Sequence, residues 1–254
     1  MLGVDLAAGA ASTGAVEFRP VGDSRWRATE IAETDDDGLV RAARGAFVIG
    51  VDSPLGWPIA FVEAVAAHTE FRPWTGTSDR STLTHRDTDR AIRQLGLRPP
   101  LSVSADKLGS VAMRCALLQR RWADEVWASP APRDGSGPLV ETYPAAAFTV
   151  WGIESNGYKR RDRSDDATTV RARMTDTIAD AVERWLDLEP IRQRCIDSDH
   201  VLDALACALV AVASKSSSTH LPSDDQRPRA LIEGWIHIPS QPLSQLAPQD
   251  PDNR

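Results

Sequence analysis

Three apolar runs in this chain end on a carboxylate: Leu2-Gly-Val-Asp5, Val48-Ile-Gly-Val-Asp52 and Leu139-Val-Glu141. Removing a carboxylate from water costs several kcal/mol unless a cation or donors compensate it, so repeated acids on buried runs point to one shared cation site. A fourth acid, Asp203, stands where the run Ala204-Leu-Ala-Cys-Ala-Leu-Val-Ala-Val-Ala213 begins. With Asp199 four positions earlier and His200 three earlier, helical periodicity gives one face two carboxylates and an imidazole. Hard oxygen donors from several elements suit Mg²⁺ or Mn²⁺, whereas the Cys and His spacings of a zinc site are missing. Blander readings stand beside these. An Asp after a strand is a common turn former, Asp197 or Asp199 would cap the last helix, Glu141 would pair with an Arg or Lys, and His200 would serve structure alone.

A second constellation is basic. In Arg86-Asp-Thr-Asp-Arg90-Ala-Ile-Arg93 the three arginines are expected on one helical face, either engaging phosphates or pairing with the intervening acids. Tyr158-Lys159-Arg160-Arg161 forms another basic cluster on an expected loop. Between Arg72 and Arg121 ten Arg or Lys face four Asp, a local surplus of six in a chain of net charge -7, so a phosphate-binding region is compatible with the overall acidity. Trp57, Trp74, Trp151 and Trp235 lie near these motifs and read as core aromatics before base-stacking platforms. Cys115, Cys195 and Cys207 have no C-x-x-C spacing and no nucleophile motif, which argues for reduced thiols and a cytoplasmic setting.

The elements that must position these groups follow from pattern. Residues 2–7, 12–19 and 25–32 read as a three-strand meander, 35–44 as a helix, and 46–51 as a buried strand parallel to the first. Helical patterns near 59–69, 86–95 and 106–124 fall between prolines and are expected to form an insertion over 58–132 that carries the basic charge. A strand at 139–143, helices near 166–187 and 197–213, and a strand at 230–238 complete one domain over 1–238, followed by a mobile proline-containing tail at 239–254. The expected fold class is α/β, with a mixed central sheet of about five strands flanked by helices. The acid inside the first apolar run argues against a signal peptide, and no apolar stretch reaches the roughly 18 residues of a membrane span. Oligomeric state stays open, a dimer included.

Six motifs in order, GVDLA at 3–7, VDSPLGWP at 51–58, RDTDRAIR at 86–93, ETYPAA at 141–146, HVLDALACAL at 200–209 and EGWIHIP at 233–239, resemble the predicted-nuclease family called domain of unknown function 429. The phrase at Asp203 is also similar to the last catalytic helix of Holliday-junction resolvases. The resemblance implies a ribonuclease H-like fold and a metal-dependent phosphodiesterase acting on nucleic acid. It implies that Asp5, Asp52 and Asp203 hold Mg²⁺ or Mn²⁺, that Asp5 bridges two ions, and that Glu141 is an accessory catalytic acid. Asp199 is expected to assist the metal, His200 to stand where the superfamily carries a further acid, and Arg86, Arg90, Arg93 and Lys159 to hold the phosphate backbone. Two other readings compete. Asp5 with Gly9, Ser12, Thr13 and Gly14 would form the phosphate hairpin of an ATP-binding phosphotransferase of the actin-like or sugar-kinase type, or the fold would serve as a non-catalytic nucleic-acid or protein-binding module.

Overall fold

The computed structural model describes residues 1–22, 25–73, 80–104, 108–159 and 165–248. The expected meander opens the chain: β1 (Leu2–Asp5), β2 (Gly14–Pro20) and β3 (Trp26–Glu30) pair antiparallel in sequence order. Helix α1 (Asp36–Ala43) is capped by the Asp35 carboxylate, which accepts from Gly38 N, and β4 (Ile49–Val51) then returns parallel to β1. Helices α2 (Ile59–Thr69), α3 (Ser81–Thr84), α4 (Asp87–Gln94) and α5 (Leu108–Trp122) precede β5 (Leu139–Glu141), which pairs parallel to β4. There follow α6 (Pro144–Val150), α7 (Asp165–Val182), β6 (Leu186–Asp187), α8 (Arg192–Asp197), α9 (Asp199–Lys215) and α10 (Arg227–Glu233). Among the described residues the sheet has six strands in the order β5-β4-β1-β2-β3-β6.

Alternation along the strands sends their apolar side chains to both faces, and helices cover each. Val16, Phe18, Ala28, Val48 and Val140 share one core with residues of α7, α8 and α9. Leu2, Val4, Ile49, Val51 and Leu139 share the other with residues of α1 and α5. Helix α9 is buried from Val201 to Ala213, as its lack of a polar side requires. It lies on the sheet at backbone contact. A Cβ on Gly3 would meet Ala204 O at 2.1 Å, one on Gly14 would meet His200 O at 2.2 Å, and one on Gly50 would meet Cys207 O at 2.3 Å. Glycine is required there for lack of space, not for an unusual backbone angle.

Several expectations need correction. The strand expected over 139–143 ends at Glu141, and Pro144 occupies the first turn of α6, where a missing N–H costs nothing. The helix expected to run to residue 187 stops at Val182, and Leu186–Asp187 adds a sixth strand beside β3, secured by the Arg27–Asp187 ion pair at 3.0 Å. The strand expected at 230–238 is divided. Residues Arg227–Glu233 form α10, Gly234 turns the chain with φ +93°, and the extended part touches β5 through a Glu141–Ile236 bridge. The tail is docked as far as it is described, with Leu243 and Leu246 buried in the α7–α9 core. Of the expected insertion, α5 is a core element, placing Cys115, Leu118 and Trp122 against the sheet.

Replacing Gly50 by Ala is expected to destabilise the protein by about 3 kcal/mol, since the clash is with helix backbone that cannot rotate away. Gly45→Ala, whose new methyl finds its nearest atom at 3.9 Å, is the neutral control. Thermal unfolding checks the pair, with a Tm difference of roughly 6–12 °C expected for a chain of this size.

Candidate active site

Gly-Val-Asp occurs twice, at 3–5 and 50–52, and the register of the parallel pair aligns Gly3 with Gly50 and Val4 with Val51. Asp52 N continues the ladder by donating to Val4 O at 2.9 Å, so Asp5 and Asp52 end neighbouring strands about 4.8 Å apart in backbone. Alternation puts both carboxylates on the face that carries Gly3 and Gly50, beneath the first turns of α9. Ser198 caps that helix by accepting from Val201 N at 3.4 Å, so neither Asp197 nor Asp199 serves as its cap. Asp199 stands at the first helical position, partly exposed, where its charge acts on His200.

His200 Nδ1 lies 2.7 Å from Asp5 Oδ2, and the imidazole remains 41% exposed. This contact, more than nearby charges, raises the pKa of His200 above its ordinary value. Asp203, one turn later, is fully buried. Its Oδ1 accepts from the Tyr158 hydroxyl at 2.9 Å. Lys159 Nζ stands 2.6 Å from Oδ2 in a close ion pair, so the two oxygens of Asp203 are held by consecutive residues. Burial pushes Asp203 up to about 7, with Lys159 opposing and Asp5 reinforcing. Asp52 lies well above the carboxylate range for the same first reason, burial, followed by the charge of Asp5. Lys159 is raised in turn: desolvation works against its charge, and Asp203, Asp52 and Asp5 outweigh it.

These groups open onto a cavity of about 840 Å³ whose wall includes Asp5, Asp52, Arg98, Tyr143 and Lys159. Asp203 lies behind that wall. The structure therefore brings together Asp5, Asp52, Asp203, His200 and Lys159. Tyr158, expected only as part of a basic cluster, emerges as the fixed donor to Asp203, and Arg98 as a cation of the wall. The signal for Tyr158 was its place beside Lys159, since adjacent residues reach the two oxygens of one carboxylate. Arg171, buried within α7, donates to Tyr158 O at 2.7 Å and to Ile196 O at 2.6 Å, tying the Tyr158 segment to the end of α8.

Glu141 and Arg86 border the same cavity, but parity puts the Glu141 side chain on the other face of the sheet from Asp5 and Asp52. Leu139 faces the α5 side, Val140 the α9 side, and Glu141 the α5 side again. There Arg86 forks onto it, Nη1 to Oε2 at 2.8 Å and Nη2 to Oε1 at 2.7 Å, while Leu55 N donates to Oε2 at 3.1 Å. The same guanidinium holds Asp89, with Nη2 to Oδ1 at 3.0 Å, and all three side chains are at most 2% exposed. Arg86 has its donors engaged internally and cannot present a phosphate-binding fork. Arg86 is also set apart from the other two arginines. Arg86 precedes α4, Arg90 donates to His85 O at 2.7 Å and pairs with Asp87, and Arg93 is exposed at the helix end. Arg160, Arg161 and Trp74 lie outside the described residues.

The hairpin read as a phosphate loop is filled. Thr13 Oγ1 accepts from Ala7 N at 3.2 Å and from Arg114 Nη1 at 2.8 Å and donates to Gly9 O at 3.0 Å, and Gly14 is pressed under α9. Asp35, Asp36 and Asp37 border the depression beside it, a poor lining for a triphosphate.

Among the described residues no group of three or more His, Cys, Asp or Glu side chains is gathered tightly enough to cage a metal. The donor chemistry nonetheless fits a hard divalent cation. Asp5, Asp52 and Asp203 supply carboxylate oxygens only, and burial together with the neighbouring acids raises the protonation of Asp52 and Asp203.

An α/β fold with a carboxylate cluster at the ends of two parallel strands defines the class. The chain belongs to the family described as Protein of unknown function (DUF429), whose model matches residues 3–227, a span that contains every acid of the cluster. No curated protein and no solved structure matches the chain.

Arg86→Met is expected to cost about 3–5 kcal/mol in urea unfolding, because it leaves two carboxylates buried without a cation. Pairing it with Glu141→Leu recovers part of that loss. A role for Arg86 in surface phosphate contacts instead predicts a change within about 0.5 kcal/mol.

Proposed function

We propose that this protein is a divalent-metal-dependent phosphodiesterase acting on nucleic acid, with its six-stranded sheet and α9 arranged as in ribonuclease H-like enzymes. The observation that carries the reading is the cluster of Asp5, Asp52 and Asp203, in which neighbouring strand ends and one helix concentrate more negative charge than Lys159 offsets. Structural acids in this same protein are treated differently, as the fully bonded Glu141–Arg86–Asp89 group demonstrates.

Asp5, Asp52 and Asp203 would hold Mg²⁺ or Mn²⁺, which when bound supplies Lewis-acid activation of water and stabilisation of the leaving oxygen. The protein's own groups prepare the rest. Arg98 and Lys159 at the cavity wall attract a phosphodiester into a space lined by acids. Asp5 fixes the imidazole of His200 through Nδ1, leaving Nε2 to carry a proton at the exposed side of the site. Tyr158 holds Asp203 in one orientation from behind. The cavity accommodates a few nucleotides of a single strand or a strand end, and the acidic net charge is offset locally by the cations of its wall.

Isothermal titration of Mg²⁺ and Mn²⁺, run beside a panel of DNA and RNA substrates, tests this reading. Wild type is expected to bind the ions and to cleave at least one substrate in an EDTA-sensitive manner, and Asp5→Asn to lose both by tenfold or more. Asp52→Asn carries a second signature. A carboxyl whose pKa is raised by folding loses stabilising energy as pH climbs through that value, so at pH 8 without metal the amide variant is expected to be more stable than wild type by about 1–2 kcal/mol. Undiminished ion binding in Asp5→Asn, or cleavage insensitive to chelator, contradicts the proposal.

A further inference from the structure

We propose that Lys159 is a built-in counter-cation for this acid cluster and that a divalent ion gains access to Asp203 by displacing it. The inference rests on the metal reading above and adds to it an internal competitor. Two consecutive residues hold the two oxygens of Asp203, and they hold them unequally. Tyr158 is anchored: the residue is 6% exposed, its ring meets Phe148 edge-on at 5.8 Å between centroids, and its carbonyl accepts from Arg171. The hydrogen bond to Oδ1 is therefore fixed. Lys159 is 50% exposed, rides 5.5 Å over the Tyr158 ring, and reaches Oδ2 at 2.6 Å from the solvent side. Its flexible stem borders the cavity, so the ammonium can leave Oδ2 for water by rotating its own torsions, with no backbone change.

Charge gives the exchange its direction. A monovalent ammonium faces Asp203, Asp52 and Asp5, whose charges all act on it, while Asp5 is also engaged by His200. A divalent ion among the same three carboxylates gains more from each, and Oδ2, held only by the half-exposed ammonium, is the oxygen it would take. Lys159 thereby keeps the ion-free cluster from repelling itself apart. Once displaced, its ammonium stands on the cavity wall, where an incoming phosphate is the next anion in reach. The same residue serves the site in both states, and metal binding becomes linked to phosphate binding.

The test uses the full chain at one pH with Mn²⁺ as the probe. Titration of Lys159→Met is expected to give Mn²⁺ affinity at least fivefold higher than wild type, and Lys159→Gln is expected to match it. Equal or weaker affinity in both variants overturns the proposal while leaving the metal reading intact. In EDTA, Lys159→Met is expected to lower Tm by a few degrees when Asp203 is present and to leave it unchanged in an Asp203→Asn background. Absence of that coupling also overturns it. If the coupling is found but Mn²⁺ binds neither wild type nor variant, the metal reading fails and the competitor role fails with it.

Discussion

Helix α9 rests on β1, β2 and β4 with no side chain between its backbone and the strands at Gly3, Gly14 and Gly50. That contact sets where everything else goes. A helix this close to a sheet must carry small residues on the contact side, and Ala204, Ala208, Cys207 and Ala211 meet Gly3 and Gly50, with the His200 backbone over Gly14. It must also be apolar all round, because α7 and α8 cover its far side. The consequence for the site is geometric. Gly3 and Gly50 are each followed two residues later by an acid on the same face, so the seat that fixes α9 also fixes Asp5 and Asp52 beneath its opening turns. Because β1 and β4 are parallel, both acids emerge at the same edge of the sheet.

Two buried groups of acids then show what the protein does with charge in low dielectric. At Glu141 and Asp89 every carboxylate finds a guanidinium N–H or a backbone donor, and the group acts as a rivet between β5, α4 and the chain leading out of α10. Such a rivet contributes little net stability against an apolar equivalent but is costly to break on one side. At Asp5, Asp52 and Asp203 the accounting does not close. Burial and mutual repulsion raise the protonation of Asp52 and Asp203, and one half-exposed lysine is the nearest relief. Structure alone gives no reason to keep three acids in that condition, whereas a site that must recruit a cation needs the field they create.

Much of this was legible beforehand. The acids at 5, 52 and 203 stood out because each interrupts an apolar run, and burial makes such interruptions expensive whatever the fold. The meander and the parallel return of β4 followed from short alternating runs and turn residues. Glu141 resembled the other acids in position but not in parity: Gly precedes Asp5 and Asp52 by two, Leu precedes Glu141 by two, and that difference alone places it on the opposite face. What the sequence hid was decided by tertiary partners. The two-residue strand β6 is held by its neighbour β3, helix α10 by packing near α2 and α4, and Arg86 was set apart from Arg90 and Arg93 by its burial against Glu141 and Asp89, the first of which no local pattern announces.

The relation between Asp203 and its two partners explains why this arrangement persists. A permanently paired Asp203, with a buried arginine in place of Lys159, would resemble the Glu141 group and would be closed to any ligand. An Asp203 with no cation would raise its own protonation further and weaken the seat of α9, whose side chains make up much of one core. A tyrosine fixed from behind and a lysine that reaches in from the solvent side avoid both outcomes. The carboxylate keeps its orientation through the group that cannot leave, and keeps its charge available through the group that can.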